Sequence, residues 1–526
     1  MLVLNSFAMA SAWPIPQGDT HHRYSPIGGP VTTAAQSTDV GGRTSALVET
    51  RSIDYVPDDE RHGKVSHQGP FWFVGNFQPF TLALGFVGPS LGLSLWWTIV
   101  AGLAGIAFGT LFMAFHATQG PVLGLPQMIQ SRAQFGYRGV LVPLIGTLFT
   151  FVGFNVVDVV IIKSGLQSIF GWNPVVVAVV ITVIAALVAV FGHDLLHKTF
   201  RILFWVSLPL WIVLTWGVLF GGVTGTATAT GGFSFVAFLV QFSVAASYNI
   251  TYAPYVSDYS RYLPRETKPS SIISSVFIGA SASPAWLIPL GAWMATYLGA
   301  SDALAGINET GNDAVSYLGS VLAIVSTLVL VATMGLNAYS GMLTVVTAID
   351  SLKSVKPTRQ LRVVTITVLA VAWLVMSLLL TNATSALNTT LLIMLYLLAP
   401  WTAVNLTDYF FVRRGHYAIA DLFTPNGIYG AWSWRGLTAF TAGVLAEIPF
   451  VDLPFFVGPA AKALGEVDIA FVIGLLVSGA VYVALTRSLD VSHELEMIEL
   501  HPELADPSSA EAIAETVTSE ENSERE

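Results

Sequence analysis

Between residues 71 and 486 the sequence passes about twelve times through a mostly apolar block long enough to cross a bilayer. A hydrocarbon core roughly 30 Å thick is crossed by about 20 helical residues. No water is available there, so each backbone N–H and C=O must find its partner within the protein, which leaves helices or closed barrels. Long apolar runs without strict two-residue alternation predict helices. Composition agrees, with 53% hydrophobic and only 11% charged residues, against roughly 25% charged in soluble domains. The blocks lie near 71–88, 93–116, 140–168, 174–191, 202–221, 233–256, 271–298, 315–341, 363–380, 386–406, 436–450 and 466–486. The expected fold class is an all-α integral membrane protein of about 12 transmembrane helices.

The formal net charge of -10 does not belong to this body. Residues 488–526 hold 12 Asp and Glu and a single basic residue, Arg525. Rich in Ser, Glu and Ala, that stretch is expected to be a solvated, disordered acidic tail. Residues 1–70 are polar, with scattered Pro, Gly, Ser and Thr, and read as a largely disordered arm. The first thirteen residues lack the basic start of a signal peptide, and Met9 is as plausible a start as Met1. With no cysteine, disulfides and thiolate metal sites are excluded.

Basic residues gather in alternate connections: Arg132 and Arg138; Lys198 and Arg201; Arg261, Arg265 and Lys268; Lys353, Lys356, Arg359 and Arg362; Arg413, Arg414 and Arg435. The connections GGVTGTATATGG (221–232) and GASDALAGINETGND (299–313) have none. The positive-inside rule makes the basic loops cytoplasmic, and an even number of spans puts both termini there too. Lys462 is an exception, and Lys163 sits near the outer end of its helix, where it can snorkel. A multi-pass protein of the plasma membrane is expected.

Two spans are interrupted. GNFQPF (Gly75–Phe80) and SYNITYAPY (Ser247–Tyr255) each place an Asn and then a Pro inside an apolar run. Proline removes a backbone donor and crowds the preceding turn, and unwound backbone at membrane depth survives only buried in protein or lining a cavity. Either alone reads equally well as an ordinary proline kink. Together they are equivalent, as spans one and six, if residues of about 71–221 and 233–406 form two inverted repeats of five helices. Paired broken helices in such repeats point to the binding site of a secondary transporter. Spans eleven and twelve (407–487) are then additions to a ten-helix core (71–406). No nucleotide-binding or haem motif offers another energy source, so ion-coupled transport without a cofactor is expected.

Specific strings then carry a resemblance. GLPQMIQSRAQFGYRG (124–139), APYVSDYSRYLP (253–264), LNAYSG (336–341), NLTDYFFVRRGHY (405–417), AEIPFVD (446–452) and VGPAAKALGEVDIAF (457–471) resemble the purine-cytosine permeases of nucleobase-cation-symport family 1, over about residues 65–486. The resemblance implies a five-plus-five inverted-repeat fold with substrate held between spans one, three, six and eight. It implies an aromatic stacking residue at Phe154 and a polar partner at Asp158, where many relatives carry Trp and Asn. It further implies a substrate asparagine at Asn337, an aromatic at Tyr248 beside Asn249, and an unwound stretch holding Gly75, Asn76 and Gln78.

A nucleobase is a flat polar ring, so its site needs apolar faces and a few fixed hydrogen-bonding groups at the edge. Phe154 and Tyr248 are the candidate faces; Gln78, Asp158, Asn249 and Asn337 are the candidate edge. Residues 154 and 158 share a helix face at i, i+4. A charge near the centre of a span costs about 2.5 to 3.5 kcal/mol on insertion scales, and such residues by default mark substrate paths or proton relays. Asp158 is therefore the candidate for coupling a proton to the substrate. Its structural alternative is a pair with Lys163, at an awkward helical spacing. Asn155 reads as packing or as an interhelical hydrogen bond.

Sodium-linked relatives place hydroxyls one to two turns before the span-eight asparagine, where this chain has Val331 and Ala332 and the nearest hydroxyl is Thr333. Protons are favoured over sodium. His193 and His197 have a metal-ligand spacing but read as part of a solvated turn. Glu447 lies outside the ten-helix core, and Gly105 and Gly109 suit close helix packing. The function expected is symport of a nucleobase, cytosine or purine, by alternating access. The same fold carrying hydantoin, allantoin, thiamine or pyridoxine, possibly with sodium, is the alternative. A membrane-embedded enzyme is the reading from another class, and it lacks a second carboxylate near Asp158. The partners implied are a small heterocycle and the lipid bilayer, not nucleic acid.

Overall fold

The computed structural model describes residues 53–506, apart from 222, 224, 226–230, 354, 356, 357, 381, 382, 502 and 503. Most of the expected arm, both candidate start methionines and the tail beyond 506 lie outside the described residues. The helices that matter for function are α1 (Val65–Asn76), α2 (Pro79–Leu84), α3 (Leu95–Ala117), α4 (Leu141–Phe170), α5 (Pro174–Phe191), α6 (His193–Phe220), α7 (Phe235–Ile250), α8 (Ala253–Ser260), α9 (Pro269–Trp293), α10 (Ala303–Ala314), α11 (Leu318–Leu352), α12 (Arg359–Leu379), α13 (Ala383–Thr407), α14 (Trp434–Glu447), α15 (Ala470–Thr486) and α16 (Val491–Leu500).

Among the described residues, nine helices are long and apolar enough to cross a membrane on their own. The three other expected spans fall short of that length for visible reasons. The first is broken into α1 and α2, α14 has 14 residues, and α15 has 17 before a 70° bend into α16. Helix α9 packs on α1 and α3, and α3 packs on α7, while α4, α5, α11 and α12 all pack on one another. Glycine brings α3 and α7 together, since a Cβ at Gly105 would lie 2.3 Å from Phe242 O and one at Gly109 2.1 Å from Ala246 O.

The two breaks differ. In span one, Gln78 is extended (φ −156°, ψ 164°) and caps α2 by accepting from Phe80 N–H, with Pro79 in the first turn, where its missing donor costs nothing. In span six, Thr251 and Tyr252 stay near helical angles, and the Thr251 hydroxyl donates to Tyr248 O at 3.0 Å. Pro254 again opens the following helix. Both spans are thus broken, span one by an extended residue and span six by a kink between α7 and α8.

Three connections carry more structure than expected. Residues 299–313 contain α10, capped by Asp302, which accepts from Ala305 N–H at 2.9 Å. The arm expected over 1–70 is corrected from residue 53 onward: Ile53, Tyr55 and Val56 are buried, and Val56 N–H donates to Gly124 O. The buried Arg61 guanidinium donates to Val56 O and Pro121 O. The acidic tail expected from 488 is likewise helical over α16, where Glu494 pairs with Arg413.

Candidate substrate site

The carboxylate that interrupts span three is inside the molecule. Asp158 is 1% exposed, and its Oδ1 has no hydrogen-bond partner. Lys163 is not that partner, because its ammonium donates to Ser377 O (2.5 Å) and Leu380 O (2.9 Å), closing the C-terminal end of α12. The hydroxyls of Tyr248, Tyr252 and Tyr255 lie within electrostatic reach of Asp158. These tyrosines belong to span six, Tyr248 to α7, Tyr255 to α8 and Tyr252 to the kink between them.

Around it the rings form two stacked pairs. Phe154 stacks on Tyr252 (5.5 Å, 19°) and Phe80 stacks on Tyr248 (5.3 Å, 18°). Phe154 and Tyr248, the expected faces, meet edge-on at 6.1 Å and 79°. The slot expected between them is thus not formed in this state, because each ring covers a neighbour. Residues 248, 252, 255 and 259 are all tyrosines, and that stripe was legible in the sequence although only Tyr248 was singled out.

The edge groups separate into two sets. Gln78 Nε2 donates to the Tyr248 hydroxyl at 3.0 Å, and Thr81 Oγ1 approaches the same hydroxyl at 2.8 Å. Asn337 Nδ2 donates to Asn155 Oδ1 at 2.8 Å, and Asn155 Nδ2 donates to Met334 O at 3.2 Å. The interhelical reading of Asn155 is the one observed. Asn337 Oδ1 is buried and has no partner. Gly75 is buried too, yet a Cβ there would meet nothing within 4 Å, so open space adjoins the end of α1.

Asn249 belongs to a different assembly. Its Oδ1 accepts from Asn76 Nδ2 (2.9 Å), and its Nδ2 donates to Thr110 Oγ1 (2.7 Å) and Ala280 O (3.0 Å). Asn76 Nδ2 also reaches Ala280 O. With both amide hydrogens and the oxygen engaged, Asn249 ties the two broken spans to α3 and α9 in this state. Asn76 shares that role but keeps an unpartnered Oδ1. Thr110 and Thr81 were not singled out in the sequence; Thr110 follows Gly109 in the close α3–α7 contact, which is the signal that places it here.

Glu447 is buried outside this cluster, against Gly474, with both oxygens unpartnered. His197 stacks on Phe71 at 4.3 Å and 24° rather than lying in a solvated turn. Among the described residues, no group of three or more His, Asp or Glu is arranged to hold a metal ion.

A family model described as permease for cytosine/purines, uracil, thiamine, allantoin matches residues 55–474. The chain belongs to this family. It is similar to the "Putative purine-cytosine permease YxlA" of Bacillus subtilis (strain 168), at 36% identity over 448 residues, covering 84% of this chain and 96% of that one. It is also similar to the purine-cytosine permease fcyB of Emericella nidulans, at 23% identity over 467 residues, covering 83% and 88%. In fold it is similar to Mhp1, a nucleobase-cation-symport-1 family transporter in a closed conformation with bromovinylhydantoin bound (TM-score 0.67, 18% identity, 84% of this chain and 96% of that one). A Na+-coupled sialic acid symporter is a more distant fold neighbour (TM-score 0.54, 15% identity, 84% and 92%). This permease is accordingly a multi-pass membrane transporter of the nucleobase-cation symport type, and not an enzyme.

Proposed function

We propose that this permease carries cytosine or a purine inward across the plasma membrane with a proton, both termini being cytoplasmic. Substrate lies beside Gly75, against the rings of Phe154 and Tyr248, with Gln78, Asp158 and Asn337 at its edge. Asn76 and Asn249 hold the two broken spans that flank it. The observation that carries the reading is a buried aspartate with an orphaned oxygen, in the middle of a span and among aromatic rings. An isolated buried carboxylate without a partner charge is held neutral or neutralised by what binds it. Protonated, Asp158 offers one donor and one acceptor, which matches the ring-nitrogen and amino edge of a nucleobase.

The allantoin and hydantoin permeases match only 17% and 15% of this chain, which gives those substrates less support. The sodium alternative is also weaker, since Val331 and Ala332 are apolar and the Thr333 hydroxyl bonds Val329 O of its own helix. Movement of the α1, α3, α7, α9 layer against the α4, α5, α11, α12 layer then exposes the site to each side in turn.

Reconstitution into sealed liposomes tests this directly. Labelled cytosine or adenine is expected to accumulate when the outside is made acidic, with no added effect of a sodium gradient. Asp158→Asn is expected to keep exchange of internal for external base while losing accumulation driven by the pH gradient. Sodium-driven accumulation, or an Asp158→Asn protein with unchanged dependence on the pH gradient, refutes proton coupling at this residue.

A further inference from the structure

Span eleven ends on a carboxyl that the substrate site does not use. Glu447 closes α14, is 1% exposed, and has no hydrogen-bond partner on either oxygen. A Cβ at Gly474 would lie 1.8 Å from Glu447 Oε1, so the carboxyl rests on the bare backbone of α15. Ala470 opens that helix about one turn earlier, and Asp468 caps it by accepting the Ala470 N–H at 2.9 Å. The two acids are thus neighbours along α15, within electrostatic reach of each other and of the Tyr396 hydroxyl of α13. Asp468 also takes that hydroxyl and the N–H of half-buried Asp452.

Among the described residues no cation offsets Glu447. Helix α14 carries Arg435 and α15 carries Tyr482, both at the ends away from Glu447, where Arg435 donates to Leu485 O and Tyr482 to Asp408. The short helix that bears Arg132 meets α14 at Gly436, also the distant end, and its guanidinium is engaged with Asp350. Helix α13 contributes Tyr396 alone, and the turn 448–450 contributes nothing titratable. In the connection 451–469, Lys462 is exposed, and Asp468 is the group that acts on Glu447. A buried carboxylate without a counter-charge is neutralised rather than left charged. A metal ion needs several such ligands at once, and the described acids form no group of that kind. A proton needs one.

We propose that Glu447 is a second proton-binding site, loaded from the aqueous face through Asp452 and Asp468, whose neutral form keeps spans ten, eleven and twelve packed. Exposure falls inward along this path, from half-buried Asp452 through Asp468 at 5% to Glu447 at 1%, and graded chains of acids carry protons to membrane depth. Loss of the proton leaves an unpaired charge between α14 and α15, which strongly disfavours their contact. Helix α13 packs on both and also on α4 and α7, where the Ser247 hydroxyl donates to Leu391 O one residue before Tyr248. Loosening at Glu447 therefore reaches span six, and high pH slows transport whatever the proton gradient. The site is separate from Asp158, and its proton does not depend on which substrate is carried.

Infrared spectra of the reconstituted protein test the site directly. With Asp158→Asn as background, a component of the protonated-carboxyl band is expected to fade between about pH 5 and about pH 9 and to be missing in Glu447→Gln. Exchange of labelled base, with pH equal on both sides, is expected to fall about tenfold over that range, and less than about twofold in Glu447→Gln, which keeps the neutral shape. Asp452→Asn, at the half-buried entrance, gives a second check that does not need Glu447→Gln to fold: after a pH jump the band is expected to respond several-fold more slowly and reach the same endpoint. An unchanged response overturns the path through Asp452. A component that persists across the whole range makes Glu447 a permanently neutral packing group, and fading on addition of sodium or potassium at fixed pH makes the ligand a metal ion; either overturns the proposal. Equal pH dependence of exchange in the unaltered protein and Glu447→Gln overturns the control of transport. Absence of base exchange at every pH refutes the nucleobase reading instead, while the band still decides the site.

Discussion

Asn249 sits within a few residues of Tyr248 in a broken span, and its chemistry suits a base edge, yet its three hydrogen bonds close on Asn76, Thr110 and Ala280. Asn337 has the same side chain and ends with its oxygen unmatched. The difference lies in what the neighbouring helices present, which no local sequence window contains. Asn249→Ala removes an acceptor from Asn76 Nδ2 and a donor from Thr110, all buried. It is expected to destabilise the protein by about 1 to 3 kcal/mol. The check is thermal unfolding of the purified protein in detergent, with a lower midpoint expected and no change in the order of base preference among folded molecules.

At the scale of elements, helix termini and connections hold the residues that titrate outside the spans. Asp468 lies between α14 and α15, where it accepts from the N–H groups of Asp452 and Ala470 (both 2.9 Å) and from the Tyr396 hydroxyl. Burial pushes its carboxyl up, and those three hydrogen bonds oppose the shift without cancelling it. A carboxyl raised on folding binds its proton more tightly in the folded protein. Its contribution is therefore fully present below the unfolded value of about 3.9 and is lost as pH rises toward the folded one. Unfolding midpoints measured between pH 4 and pH 8 are expected to decline with pH more steeply in the unaltered protein than in Asp468→Asn, which keeps the side chain's shape and removes its titration.

Across the whole molecule, the strings that carried the family resemblance meet one another. Asp258 accepts from Gln127 N–H (3.1 Å) and from Ser340 Oγ (2.7 Å), joining three of them. Arg132, fully buried, reaches Asp350 at 2.8 Å and Leu422 O at 3.0 Å. Asp408 receives Gln134, Tyr417, Tyr482 and Arg413. Arg413 in turn makes a two-pronged pair with Glu494 of α16, at 2.8 and 3.0 Å. The tail's first helix is thus fastened to the body through a buried arginine. Glu494→Ala leaves half of that guanidinium unpaired, and breaking a buried pair costs about 3 kcal/mol. Thermal unfolding is expected to register that loss as a lower midpoint.

The helical membrane architecture, the two interrupted spans and the out-of-place aspartate were legible in the sequence, because each is local. A run of apolar residues must satisfy its backbone internally, a proline cannot continue a hydrogen-bonded turn, and a carboxylate in a greasy helix is anomalous wherever it lands. The tertiary structure alone decided that span one breaks at an extended residue while span six kinks, that Lys163 closes α12 rather than pairing with Asp158, and that Phe154 and Tyr248 meet edge-on. It also decided which asparagine braces the fold and which keeps an unsatisfied oxygen. Hydrogen bonds and ring stacking are short-ranged and directional, so these outcomes depend on which side chains from helices far apart in sequence arrive within about 3 Å of one another.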